Sequence, residues 1–213
     1  MKILNGMVVV SLMLFLGACS TETSKNSTFH EGGQGEQQAL ASFKSHYLLA
    51  VNRARSESHT CGSKGFFPSA PALKWSEKLY DSAYEHTLDM ATTNTFGHNG
   101  SGEASDVTGQ RLGHPSRGDE RVLAQGYRWR SYGENVGAGT NRSRAEDMVQ
   151  GFLESDGHCA NMMNPNFKEL GMAMVKNENS TYTHYWTQNL EHVNEVGDYS
   201  SPSKSIFLHS GFE

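Results

Sequence analysis

Basic residues are few and scattered in this chain. Its 213 residues carry 18 Lys and Arg against 23 Asp and Glu, a formal charge of -5, and the basic features are isolated pairs such as Arg128 and Arg130. Phosphate backbones are bound by clustered cations, so no nucleic-acid partner is expected. The apolar run from Met7 to Leu16, interrupted only by Ser11, is too short to span a bilayer well. A His-Glu-x-x-His spacing and a Gly-x-Ser-x-Gly turn are both missing, so the most direct signals of a zinc peptidase or a serine hydrolase are absent. With 36% hydrophobic and 19% charged residues, the length suits one well-buried domain and leaves no clear room for two.

What is present begins with an address. Residues 1–18 read as a secretion signal: Lys2 gives a positive start, the apolar run follows, and small residues close it. Leu16-Gly17-Ala18-Cys19 resembles the lipobox of bacterial lipoprotein precursors. That resemblance implies cleavage before Cys19, a lipid on its thiol, and anchorage at a membrane of the bacterial cell envelope. Ser20 after the cysteine points to the outer membrane where a cell has two. Residues 19–36 are, after Cys19, mostly Ser, Thr, Gly and Glu, with Phe29 as the one large apolar residue, the composition of a tether. Cys61 and Cys159 remain, and two cysteines in an exported chain are expected to form a disulfide. The alternative is a nucleophile pair of Cys159 with the adjoining His158.

Leu40, Phe43, Tyr47, Leu48 and Val51 recur at spacings of three and four and predict a helix within 37–55. Leu79, Ala83, His86 and Met90 predict a second over 76–92, with His86 read as a packed, hydrogen-bonded residue. Residues 99–126 show no lasting period. A short helix around Val107 to Leu112 and a groove wall are both open readings there. Gly133 to Gly139 reads as a strand or turn, and Ser143 with Glu146 as a capping box opening a helix that should stop by Gly157. Leu170 to Val175 and Tyr182 to Leu190, separated by turn residues, predict a closing antiparallel hairpin. Residues 192–213 read as a polar tail.

Three candidate functional side chains stand at the ends of these elements: His98, Glu134 and His158. Two imidazoles and a carboxylate suit Zn2+ or another divalent cation with water in the open position. The same three equally suit the roles of base, acid and orienting group. Asn135, Asn161 and Asn164 read as loop-fixing residues, and Tyr132 and Tyr185 either line a groove or pack on a sheet.

Phe96-Gly97-His98, Gly126-Tyr127, Gly133-Glu134-Asn135, Gly157-His158-Cys159-Ala160-Asn161, Asn164-Pro165, Gly171 and Tyr185-Trp186-Thr187-Gln188 stand in the order and rough spacing of the CAP superfamily. This group comprises the cysteine-rich secretory, antigen 5 and pathogenesis-related 1 proteins, also called the SCP domain. The chain resembles its bacterial lipoprotein branch over about residues 37–191. The resemblance implies an α/β fold, a three-layer α-β-α sandwich with a central, mostly antiparallel sheet, and an open cleft lined by His and Glu. His98 is similar to the family's first histidine and Glu134 to its first glutamate. The second glutamate falls on Ser155, one place from Glu154, and the last histidine falls on Tyr185, after His184. His158 is then expected to fill the gap. The implied functions are a binding module for a small apolar molecule, a peptide or a cell-wall component, a metal-dependent hydrolase or peptidase, or an envelope interaction module with an inactive cleft.

Overall fold

The computed structural model describes residues 34–193. The expected secretion signal, Cys19, most of the expected tether and nearly all of the expected polar tail lie outside the described residues. The elements in chain order are α1 (Gln34–Arg55), β1 (His59–Thr60), β2 (Phe66–Phe67), β3 (Lys74–Trp75), α2 (Glu77–Thr93), α3 (Val107–Leu112), α4 (Gly118–Ala124), β4 (Trp129–Gly139), α5 (Ala145–Leu153), α6 (Asp156–Met163), β5 (Glu169–Lys176) and β6 (His184–Val193). Among the described residues no helix is long and apolar enough to cross a membrane.

Four strands form a mixed sheet in the order β3-β5-β6-β4. β3 runs parallel to β5, and the other two pairs are antiparallel. Alternation along the strands sends side chains to two different helical layers. Leu170, Met172, Trp186 and Leu190 join Tyr47 and Val51 of α1, Met148, Val149 and Phe152 of α5, and Met162 of α6 in the largest apolar cluster. Ala173 and Tyr185 point the other way, toward Tyr80, Ala83, Met90 and Ala91 of α2. The result is the expected α-β-α sandwich. Because β5 is covered on both faces, its sequence reads as a nearly continuous apolar run rather than as alternation, while β6 buries Thr187, Gln188, Asn189 and Glu191 among its apolar residues. Gly171 lets α2 come close: a Cβ there would lie 2.1 Å from the backbone nitrogen of Tyr80.

The early and late parts of the chain interlock. Lys74 and Trp75 pair with Glu169 and Leu170, and the buried guanidinium of Arg55 donates to the carbonyls of Met162 and Asn164. The expected disulfide joins Cys61 to Cys159 across 98 residues, with Cα atoms 5.4 Å apart.

Two elements differ from the sequence expectation. The helix expected from Ser143 begins at Ala145, with extended Arg144 at its N-cap and no side-chain capping bond. The Trp186 indole donates to the Arg142 carbonyl at 2.7 Å, fixing the approach of the chain just before the helix. After α5 the chain re-enters a helix, α6, with Gly157 inside it. A single short polar helix has little stability of its own. Here Asp156 accepts from the Ser63 backbone N–H and hydroxyl at 2.8 and 2.6 Å, and the disulfide ties Cys159, so tertiary contacts hold what composition does not announce.

Residues 99–126 are ordered mainly by carboxylates, with Val122 as their buried apolar contact. Asp89 of α2 accepts from the Ser101 N–H and from the hydroxyls of Ser101 and Ser105 at 2.6–2.7 Å. Asp106 caps α3 by accepting from the Gly109 N–H and also takes the N–H groups of Gly102 and Ser116. Glu120 accepts from the Arg117 N–H at the start of α4. Of the two open readings, the short helix forms where expected, as α3, and the segment also carries α4, whose Arg121 and Val122 meet side chains of β4.

Candidate functional site

On β4 the alternation turns Tyr132 and Glu134 to the α2 side of the sheet. There Glu134 meets three partners. His98, from the loop after α2, places Nδ1 2.9 Å from Glu134 Oε1. Arg121 of α4 donates from Nη2 to Glu134 Oε2 at 2.8 Å, and the Tyr132 hydroxyl donates to the same oxygen at 2.8 Å. Asn189 Oδ1 of β6 lies 3.1 Å from that hydroxyl. Arg121 is buried, with 1% of its surface exposed, and Glu134 retains 6%. The His98 side chain is 19% exposed, so solvent meets the group mainly through the imidazole.

Gly118 makes this convergence possible. A Cβ at that position would lie 2.1 Å from the Tyr132 hydroxyl and 2.8 Å from Glu134 Oε2.

Burial alone would raise the Glu134 carboxyl, but the charge of Arg121 and the hydrogen bond from His98 outweigh it and hold the group well below the usual carboxylate range. An ionised carboxylate only accepts, so the His98 Nδ1 carries the proton of this contact, and in the neutral form of the ring Nε2 is the acceptor nitrogen. Burial opposes the Arg121 charge as well, and Glu134 more than compensates, so the guanidinium stays cationic. His86 is buried on α2 and donates from Nε2 to the Gly97 carbonyl at 2.8 Å, as a packed histidine would. Burial, followed by the nearby Arg121 charge, lowers it to about 4.

His158 sits on α6, fully buried and edge-on to Phe152 with ring centroids 5.0 Å apart. Burial, then the charge of His98, lowers it to about 4. The two histidines are therefore electrostatic neighbours, while the direct hydrogen bond of the site joins His98 to Glu134. Asparagines hold the His158 helix against β4. Asn135 Nδ2 donates to the His158 carbonyl at 3.2 Å and to Gln188 Oε1 at 2.7 Å. Asn161 Nδ2 donates to Asn135 Oδ1 at 2.9 Å and to the Glu134 carbonyl at 3.3 Å. Asn164 Oδ1 accepts from the Asn166 N–H. These are loop-fixing and strand-fixing roles.

The remaining positions of the family pattern lie elsewhere. Glu154 is exposed and accepts from Gln150, and Ser155 is the N-cap residue of α6. Tyr185 packs under α2 and donates to Asn94 Oδ1 at 3.0 Å. Gln188 points to the α1 side, where it donates to the Tyr47 hydroxyl.

Glu134 does not suit direct ligation of a metal ion. Both Glu134 oxygens are engaged by buried or half-buried partners. Among the described residues no group of three or more His, Cys, Asp or Glu side chains is arranged to hold an ion. The group with the strongest hold on Glu134 is Arg121, which the motif positions did not reveal. Its only sequence signal is indirect: a carboxylate buried in a strand requires a cation or donors from somewhere.

A sequence profile of the cysteine-rich secretory protein family (CAP) matches residues 48–190. The uncharacterized protein YkwD of Bacillus subtilis strain 168 is 28% identical over 116 residues, which cover 54% of this chain and 38% of that protein. Among solved structures, an extracellular SCP-domain protein of Bacillus anthracis is 26% identical with a TM-score of 0.45, over 58% of this chain and 34% of the other. An outer surface protein of Borrelia burgdorferi is 13% identical with a TM-score of 0.48, over 76% of this chain and 95% of the other. The chain thus spans little more than a third of the length of both Bacillus proteins. With the profile covering most of the described residues and the α-β-α layers and His/Glu contact in place, the chain belongs to the cysteine-rich secretory protein (CAP) family.

Proposed function

We propose that this protein is an exported, lipid-anchored CAP-domain binding module. Its cleft, reached through His98, takes a small apolar molecule, a peptide or a cell-envelope component. One observation carries the preference for binding over hydrolysis: both oxygens of the Glu134 carboxylate are engaged, by His98, Arg121 and Tyr132. A carboxylate so committed fixes the shape and charge of a recognition surface, whereas a general base or metal ligand must have an oxygen to give. The lipobox-like Leu16-Gly17-Ala18-Cys19 supports the anchor, and the Cys61–Cys159 disulfide fits an oxidising, extracytoplasmic setting.

The ligand is tested on the mature protein by native mass spectrometry and thermal shift with three probes: palmitate, a muropeptide and an unstructured peptide. Saturable binding of one probe, weakened in His98→Ala, is expected, with no turnover of peptide or ester substrates. Hydrolysis that His98→Ala abolishes would replace the binding reading with the enzymatic one. The anchor is tested separately by cell fractionation: wild type should sediment with membranes and Cys19→Ser should not, or should persist as unprocessed precursor. An unmodified mature N-terminus elsewhere in the chain refutes it.

A further inference from the structure

The two terminal nitrogens of the Arg121 guanidinium are surrounded by oxygen, while the buried Nε has no hydrogen-bond partner among the described residues. Nη2 donates to Glu134 Oε2 at 2.8 Å and to the His98 carbonyl at 3.0 Å, and Nη1 donates to the carbonyl and hydroxyl of Ser116, both at 3.0 Å. A carboxylate, two carbonyls and a hydroxyl are the ligand types a hard divalent cation selects. The protein fills that environment with its own side chain, 1% exposed. We infer that Arg121 is the resident cation of the cleft: it supplies the positive charge Glu134 requires, makes the site independent of divalent ions, and positions His98.

The positioning follows from the geometry. A single nitrogen, Nη2, grips the His98 residue through its backbone carbonyl and, by way of Glu134, through its ring. The planar fork suits two acceptors at once, which a lysine ammonium matches less well. The long segment 99–126 acquires a purpose as well. Its carboxylate ties at Asp89 and Asp106 fix Ser116 and the start of α4, and so deliver the cation to the strand. None of this depends on which ligand the cleft takes, so the inference stands or falls apart from the proposed function.

The test uses the mature full chain. In wild type, calorimetric titration with Zn2+, Mg2+ or Ca2+ should give no saturable heat, and a chelator should leave Tm unchanged. Stoichiometric binding of any of these ions that Glu134→Gln abolishes overturns the inference. The nitrogen-15 spectrum of the His98 ring should report the Nδ1–H tautomer in wild type. Arg121→Gly should lower Tm by more than about 5 °C and disperse that tautomer signal, and a few millimolar guanidinium should restore both while equimolar methylammonium does not. An Arg121→Gly protein that keeps its Tm and the His98 tautomer overturns the positioning role. If Arg121→Gly does not fold, Arg121→Lys decides: it should fold, remain insensitive to chelator and show a partly restored His98 signal. A Lys variant whose His98 signal matches wild type overturns the claim that the fork geometry matters.

Discussion

Glu169 and Glu191 stand directly opposite each other across the β5–β6 pair. Like charges in that relation repel, and Glu191 is fully buried with neither carboxylate oxygen hydrogen-bonded. Tyr127 donates to Glu169 Oε2 at 2.7 Å, Tyr132 is the β4 partner of Glu191, and Asp119 of α4 adds a third negative charge nearby. Burial first, then Glu169 and Asp119, push the Glu191 carboxyl well above the usual range.

Since the folded state favours the protonated form of Glu191, its contribution is complete below the unfolded value and is lost as pH rises from about 4.5 toward the higher folded value. Glu191→Gln, which cannot ionise, should therefore be more stable than wild type at pH 8. The difference should vanish near pH 4. Urea melts across this range measure it, and a Gln variant that is less stable at pH 8 contradicts the assignment.

His86 and His158 act in the opposite sense. Their folded values near 4 lie below the unfolded value of about 6.5, so the stability they contribute is present above that pH and is lost as pH falls toward 4, on the order of 3 kcal/mol each. His86→Gln, which retains a donor for the Gly97 carbonyl, should flatten the acid limb of the stability profile by roughly half. An unchanged limb in that variant would mean that His86 is charged in the folded protein.

Gly118→Ala and Gly171→Ala should both destabilise, through different neighbours. At Gly118 the new methyl meets the Tyr132 hydroxyl and Glu134 Oε2, side-chain atoms that can move, so a loss of about 1–3 kcal/mol is expected together with disturbance of the His98–Glu134 contact. At Gly171 it meets the α2 backbone at Leu79 and Tyr80, which cannot yield without moving a helix. The loss there should reach or exceed the upper end of that range. Thermal melts rank the two, and His98 ring signals should change in the first far more than in the second.

Removing the Cys61–Cys159 bridge, with its 98-residue separation, should cost roughly 4–5 kcal/mol by the chain-entropy argument. The Cys61→Ser/Cys159→Ser double variant, compared with wild type in denaturant, measures it. Thiol titration of unfolded, unreduced wild type should find no reactive thiol from these two positions.

The large elements are legible in the sequence because their periods are. Tyr47 and Val51, or Ala83 and Met90, must recur on one face for α1 and α2 to cover a sheet, and Leu170 to Val175 must be apolar to lie between two helical layers. α6 is not legible, because Gly157 and its polar neighbours carry no helical signal and the helix is held from outside by Cys61 and Ser63. The site divides in the same way. His98 and Glu134 stand at motif positions, and the structure joins them directly. Arg121 does not stand out, since a guanidinium destined for burial looks like any solvated one until the strand that needs it is in place.

The interlocking of early and late chain has a consequence for synthesis. Arg55 bonds carbonyls more than a hundred residues away, β3 adds to an edge made by β5, and the largest apolar cluster needs Trp186 and Leu190 of the last strand. Until that strand has left the ribosome, the first helices have nothing to close upon, and contacts of such long range form slowly even afterwards. The nascent polypeptide therefore stays open, with its apolar faces uncovered, until its last strand has been made.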